Sequence, residues 1–527
     1  MTADLKATYN SLLMAEPDQD QPAATTIQHI GDLIDISGDL GEAAGARRAI
    51  QLCDRLRQNS SLKDEESALL YYFEANAWSV LAPSHEFNTG DVWNWRNEAF
   101  ENMVRRLRQA LRSPGFAHLN PLRQSEILTN LGNALDNIGR FVEALECYDR
   151  AVRACPEHGM ARGNLGVCLA HYGEMQPHLP HQPGYCTTTA FLTRARAELG
   201  AALSRPLAPG AAPAFALYYE RITHLLKIAD GAEGLVPRGA VPGKTKDERA
   251  YRRWCLLQRL FLNPLNDLGT FAEATTDLLH LPPVVTLTRE PYIQSLFNQL
   301  KQEYVTARFL LYEGTAIKRP HFSDREVTLV NTLDYAAYSL CLEKTRLAFR
   351  MAYSQFDKIA FLLNAYLDLR IHPERVKFRT LWYKNEEPKR GIKPEFEDRE
   401  NRPLRGLFGL SRDLGARNDD RDALDPDAQD LVLIRNHLEH KHVTIHEESW
   451  IATGRGRGGE TADGLSFAID RQDFESRAVR ALKLARSALL YLIHALLIEE
   501  QKRAESRAQT DVILPLVLNP IDDDWKR

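Results

Sequence analysis

The 527-residue chain reads as all-α, a run of stacked helix pairs followed by a helical bundle, and three observations lead there. In the N-terminal half small residues return at a fixed interval, Leu131-Gly132 being followed 34 residues later by Leu165-Gly166. In the C-terminal half four long segments carry apolar residues at helical spacing. Between them, Gly231 to Lys246 is rich in glycine and proline, the composition of a linker.

Composition narrows the setting. The net charge is −5, so no bulk electrostatic pull favours nucleic acid and any RNA-binding surface must be local. Seven cysteines (Cys53, Cys147, Cys155, Cys168, Cys186, Cys255, Cys341) include no CxxC pair, which fits reduced thiols better than a disulfide framework or a zinc ribbon. The N-terminus lacks the basic-then-apolar pattern of a signal peptide. The most apolar helical run, Ser487 to Ile498, is too short to span a bilayer and contains His494. A cytoplasmic protein without a membrane partner is expected.

Residues 1–230 are taken as the repeat domain. Leu131, Gly132, Ala144, Tyr148, Ala151 and Pro156 fall at spacings that resemble a tetratricopeptide repeat. Glycine and alanine suit the close approach of two antiparallel helices, Tyr148 is expected between neighbouring repeats, and Pro156 stops the second helix. Degenerate copies are read at Ile30-Gly31 with Ala43 and Ala44, and at Tyr71 to Ala77 with the helix from Ala99 to Leu111. Ala190 to Leu203 with Ala214 to Ala229 supplies a last pair. One repeat cannot bury its own apolar face, so several must stack into a right-handed superhelix. Its concave groove would hold a protein or small-molecule regulator, or nothing if the repeats are only a scaffold.

A linker and connecting helix occupy 231–284. Gly243-Lys244-Thr245 invites comparison with a P-loop, but only three residues separate Gly239 from Gly243 and no apolar strand precedes them. The bundle is assigned to 285–505, with helices at Glu290 to Gly314, Leu333 to Arg370, Asp427 to His442 and Asp473 to Arg503. Asp470 or Asp473 would cap the last. On the second, Phe349, Ala352, Phe356, Ile359, Ala360, Leu363 and Leu367 line one face. A charged insertion at about 374–425 is expected to be solvated, with partial order around Phe378, Trp382 and Tyr383. Arg455 and Arg457 lie in a Gly-rich loop read as mobile. The tail, 506–527, holds an apolar run from Val512 to Leu518 that would pack as a strand or latch.

The chemistry concentrates at Arg435-Asn436-His437-Leu438-Glu439-His440. Asp425 would cap this helix and Pro426 suits its first position. Leu431, Ile434 and Leu438 form the stripe facing the core, leaving His440 roughly opposite, with Asn436, Leu433 and Val443 in the same outward sector. An apolar patch there implies a second surface, most simply the same helix of another copy.

Arg-Asn-x3-His on a late helix of a four-helix bundle resembles the signature of the HEPN superfamily, many of whose members are RNases. Ala348-Phe349-Arg350 and Asp357-Lys358-Ile359-Ala360 are similar to a prokaryotic branch with N-terminal tetratricopeptide repeats. The resemblance implies an endoribonuclease acting as a homodimer without cofactor or metal. Arg435 would hold the scissile phosphate, His440 would be a general acid or base, and Asn436 would orient one of them. RNA would be cut through its 2′-hydroxyl, leaving a 2′,3′-cyclic phosphate, in prokaryotic stress or antiviral defence.

Blander readings compete. Arg435 could pair with Glu439 one turn on. Metal is a further option, since His437 and His440, or His442 and His446, lie at same-face helical spacings. Asp357 and Lys358 are read as core-edge ion pairs at the margin of a cleft. The alternative function is a non-catalytic scaffold or adaptor with an inert bundle.

Overall fold

The structure is a computed structural model that describes residues 2–526 apart from 18–20, 60, 83–94, 96, 177–186, 229–240, 283–290, 317–318, 332–335, 398, 415–425, 448–458, 461–465 and 507–520. Its N-terminal half is built from α1 (Thr2–Met14), α2 (Ala23–Leu40), α3 (Ala43–Asn59), α4 (Asp64–Leu81), α5 (Glu98–Arg112), α6 (Pro121–Asn137), α7 (Phe141–Ala154), α8 (Gly159–Glu174), α9 (Thr187–Leu203) and α10 (Ala211–Ile228). Successive pairs α2/α3, α4/α5, α6/α7 and α8/α9 stack, each glycine of the repeat pattern lying where helices nearly touch. A Cβ on Gly132 would stand 2.6 Å from the Tyr148 ring, and one on Gly166 the same distance from Leu199. Tyr148 therefore fills the gap within its own pair rather than between repeats, its hydroxyl donating to Asn133 Oδ1 at 2.8 Å. Ala190 to Leu203 lies on α9, the partner of α8, and α10 follows as a single helix packed on α9.

The connecting segment holds α11 (Lys246–Gln258) and α12 (Leu265–Leu268). Thr245 of the P-loop-like tripeptide caps α11, its side chain accepting from the Glu248 amide at 3.1 Å. This region is fastened to the C-terminal half by buried charge pairs. Arg486 donates to Asp267 at 2.7 Å, and Arg308 forks onto Asp277 with two bonds of 2.8 Å.

The bundle comprises α13 (Tyr292–Ala316), α14 (Leu340–Tyr366), the short α15 (Pro394–Glu397), α16 (Arg402–Asp413), α17 (Pro426–His440) and α18 (Arg471–Glu505). With 35 residues, α18 is long and apolar enough to cross a bilayer, so length does not decide the matter. Its apolar stretch is instead core: 83 % of the most apolar window is buried. Asp470 stands at its N-cap.

Two features were not expected. Helical structure ends at His440, and a small sheet follows: β1 (His442–His446), β2 (Gly459–Glu460) and β3 (Ser466–Asp470), in the order β1-β3-β2. β1 runs parallel to β3 with His442 opposite Ser466, and Ala336 adds a bridge at His446. The sheet thus ties the end of α17 to the start of α18. Second, the described part of the charged insertion, 374–414, contributes an aromatic and apolar set to the core while its charged residues stay mostly outside. Trp382 and Phe396 are fully buried and Phe378 and Tyr383 nearly so. Trp95, from before α5, joins the same aromatic cluster, its ring 5.6 Å from that of Phe408. The charge of this segment masks an apolar set large enough to hold it down.

α16 is the seam between the halves. Gly406 meets the α6–α7 turn so closely that a Cβ would lie 2.4 Å from the Gly139 carbonyl oxygen. Alongside, Asp413, Arg140 and Glu143 form a network with no or almost no exposed surface. Arg140 donates to Glu143 at 2.6 Å through two nitrogens and to Asp413 through a third, while Arg108 reaches Asp413 at 3.1 Å. Burial opposes the Arg140 charge, but Asp413 and Glu143 outweigh it and hold its pKa well above the ordinary value. Asp425, Arg455, Arg457, Cys186, Val512 to Leu518 and the first part of the 231–246 linker lie outside the described residues.

Candidate functional site

The register of α17 is set by its apolar stripe: Leu431 and Ile434 are fully buried and Leu438 nearly so. That register turns Arg435 toward α14. There Arg350, Tyr353, Ser354, Asp357, Lys358 and Phe361 fall at i, i+3, i+4, i+7, i+8 and i+11, one continuous face of the helix. A cleft of about 320 Å³ lies between these faces, and Val376 and Glu439 also line it.

Arg435 enters this cleft with its guanidinium carbon 5.8 Å from the centre of the Tyr353 ring. It donates to Asn436 Oδ1 at 3.2 Å. Among the described residues no carboxylate pairs with it, and Glu439 does not take that role. Instead Glu439 lies 3.5 Å from Arg350 Nε, and Arg350 also donates to the Leu438 carbonyl. Lys358 pairs with Glu303 of α13, and Asp357 accepts from the Phe378 amide at 2.9 Å. Burial, helped by Asp357 and opposed by Arg435, pushes the Tyr353 phenol up to about 12, so the ring under the guanidinium stays neutral. A planar cation on an uncharged aromatic face, in an open cleft, is suited to phosphate oxygens.

His440 is elsewhere. It is the last residue of α17, exposed, and not part of the cleft wall. It stands five positions after Arg435, about 140° around the helix and roughly 7.5 Å along it. Asn436 is half-buried and serves Arg435 rather than His440. His437 is a core residue, bonded to the Leu433 carbonyl at 2.9 Å and packed against Phe467. It therefore cannot join His440 in a surface metal site. His442 and His446 stand on a strand, where four residues span about 13 Å, too far for one ion. The outward apolar sector is also reduced: Val443 is buried on β1, and Leu433 packs against the core. Of that sector only Val443 is buried; Leu433 and Asn436 are half-buried and His440 is exposed.

Residues 284–500 match the LA2681-like HEPN family, and residues 125–158 match the tetratricopeptide repeat. Residues 284–500 are an LA2681-like HEPN domain. No curated protein and no solved structure matches the chain. HEPN domains are generally ribonucleases, and tetratricopeptide repeats generally bind proteins. Within this HEPN domain the sequence motif singles out Arg435, and of the wall facing it Asp357 and Lys358 were read at the margin of a cleft, whereas Arg350, Tyr353, Ser354 and Phe361 were not. Their signal was present: α14 carries a polar-aromatic stripe from Arg350 to Phe361 beside its apolar one.

Proposed function

We propose that the chain is a metal-independent endoribonuclease of the cytoplasm, working as a dimer and regulated through its repeats in prokaryotic stress or antiviral defence. The observation that carries this is Arg435. In a HEPN domain, a guanidinium unmatched by any described carboxylate faces an open cleft lined by Tyr353 and Lys358. There it holds the scissile phosphate and offsets the charge that grows on it.

His440 takes the proton from the ribose 2′-hydroxyl, and the oxygen attacks phosphorus as the 5′-oxygen leaves with a proton from a second imidazole. The products are a 2′,3′-cyclic phosphate and a 5′-hydroxyl. One α17 turns Arg435 and His440 to different sides, so a single copy does not bring both onto one phosphate. Two copies of the helix, paired with their motifs facing, supply the missing convergence.

Regulation has a direct route. Arg112 of α5, in the repeats, lies 3.5 Å from Asp430 of α17, which Arg477 of α18 also grips at 2.7 Å. A partner or small molecule that shifts α5 acts on the motif helix through that contact. Incubation of purified protein with total RNA in EDTA tests the reading. Cutting supports it. Intact RNA, together with a protein partner co-purifying on the repeats, favours the scaffold that the exposed position of His440 also allows.

A further inference from the structure

We propose that Arg350 is a positioning residue of the Arg435 cleft: by claiming Glu439, it keeps the Arg435 guanidinium for an incoming phosphate. This rests on the reading of Arg435 as the phosphate-holding group. Glu439 stands four residues after Arg435, the spacing at which a helix brings opposite charges together. The pairing does not form. Glu439 is drawn sideways to Arg350 Nε at 3.5 Å, while another nitrogen of the same guanidinium donates to the Leu438 carbonyl at the end of α17.

Two acceptors on adjacent residues match the fixed fork of one arginine. The carbonyl end of a helix also attracts a cation. The competing pair has the weaker order, with the cation N-terminal to the anion. Geometry therefore favours Arg350 over Arg435 as the partner of Glu439. Tyr353 completes the arrangement, holding the Arg435 guanidinium at 5.8 Å without neutralising it. Were Glu439 released, it would reach back to Arg435, and a phosphate would then have to displace a carboxylate. Arg350 and Glu439 are 42 % and 38 % exposed, so solvent moderates the effect to about threefold in affinity.

The experiment measures binding of a 2′-O-methyl RNA oligonucleotide, which cannot be cleaved, to the full-length chain by fluorescence anisotropy. Arg350→Gln is expected to weaken binding about threefold, and Glu439→Gln added to it is expected to restore most of the loss. A double variant as weak as Arg350→Gln overturns the inference, because Arg350 would then act by its own contact with RNA or by holding the fold. Glu439→Gln alone is expected to tighten binding less than twofold. A severalfold gain there also overturns it, and this variant decides the matter even if Arg350→Gln melts early. Arg435→Ala separates the two levels. If it binds as tightly as the parent, the phosphate reading itself fails, whereas a weakened Arg435→Ala beside an unrescued double variant sinks only the role of Arg350.

Discussion

Replacing Asp413 by Asn should loosen the seam between repeats and bundle. Asp413 and Arg140 have no exposed surface, and Asp413 accepts from both Arg140 and Arg108. Removing one charge of a buried pair costs about 3–5 kcal/mol, because the partner stays desolvated. Arg140 keeps Glu143 through two bonds of 2.6 Å, which places the expected loss at the lower end, about 3 kcal/mol. That corresponds to a roughly hundredfold or greater rise in the unfolded fraction. Urea unfolding reads it directly, with tryptophan fluorescence reporting on the nearby Trp95–Trp382 cluster and circular dichroism on the helices. The parent should show coincident transitions, and the variant an earlier tryptophan transition. A loss below about 1 kcal/mol would refute the reasoning, since it would mean water or another group takes the place of the carboxylate.

Other expectations follow from the same geometry. Arg435→Ala and His440→Ala should each lower RNA cleavage by at least about a hundredfold with unchanged circular dichroism, the scale of losing a charge-stabilising donor or a general acid–base; undiminished cutting by either would remove that residue from the site. His494 is fully buried, bonded to the Leu490 carbonyl and Gln176, and burial lowers its pKa to about 4. It is neutral in both states above pH 6.5, so stability should fall only as pH drops from 6.5 to about 4, by about 1.4 kcal/mol per unit, and level off below. Acid titration of the unfolding midpoint should show a shallower fall for His494→Gln, and parallel curves would contradict the assignment. Gly406→Ala pushes a Cβ into the Gly139 carbonyl, which is backbone and cannot swing aside; a loss of about 1–3 kcal/mol and faster hydrogen exchange in α16 are expected.

The helical frame was legible because its signals are local. Gly132, Gly166 and Tyr148 announce close helix contacts, and the apolar stripe of α14 needs only a periodicity of 3.6. Burial of the aromatic set between 376 and 414 was not legible, since the charged residues there outnumber the few aromatics that hold it, and Trp95 lies far off in sequence. The sheet after His440 was missed for a different reason. His442 to His446 is five residues long, too short to tell strand from helix, and its partner is 24 residues away across a Gly-rich loop. At the site, the motif gave Arg435 and its core-facing stripe. Which group neutralises Glu439 depends on Arg350, 89 positions earlier, and no local pattern carries that. The dimer expectation rests on the divergence of Arg435 and His440 more than on an apolar face, because Val443 is buried on β1 and Leu433 is half-buried.

The most direct measurement is the chemistry of RNA ends after incubation with the full-length chain in EDTA. A 2′,3′-cyclic phosphate on the upstream fragment and a 5′-hydroxyl on the downstream one are expected, with no cut where a single 2′-deoxynucleotide replaces the ribose. Cleavage that continues past the deoxynucleotide, or that leaves 5′-phosphate ends, would contradict an imidazole acting on the 2′-hydroxyl.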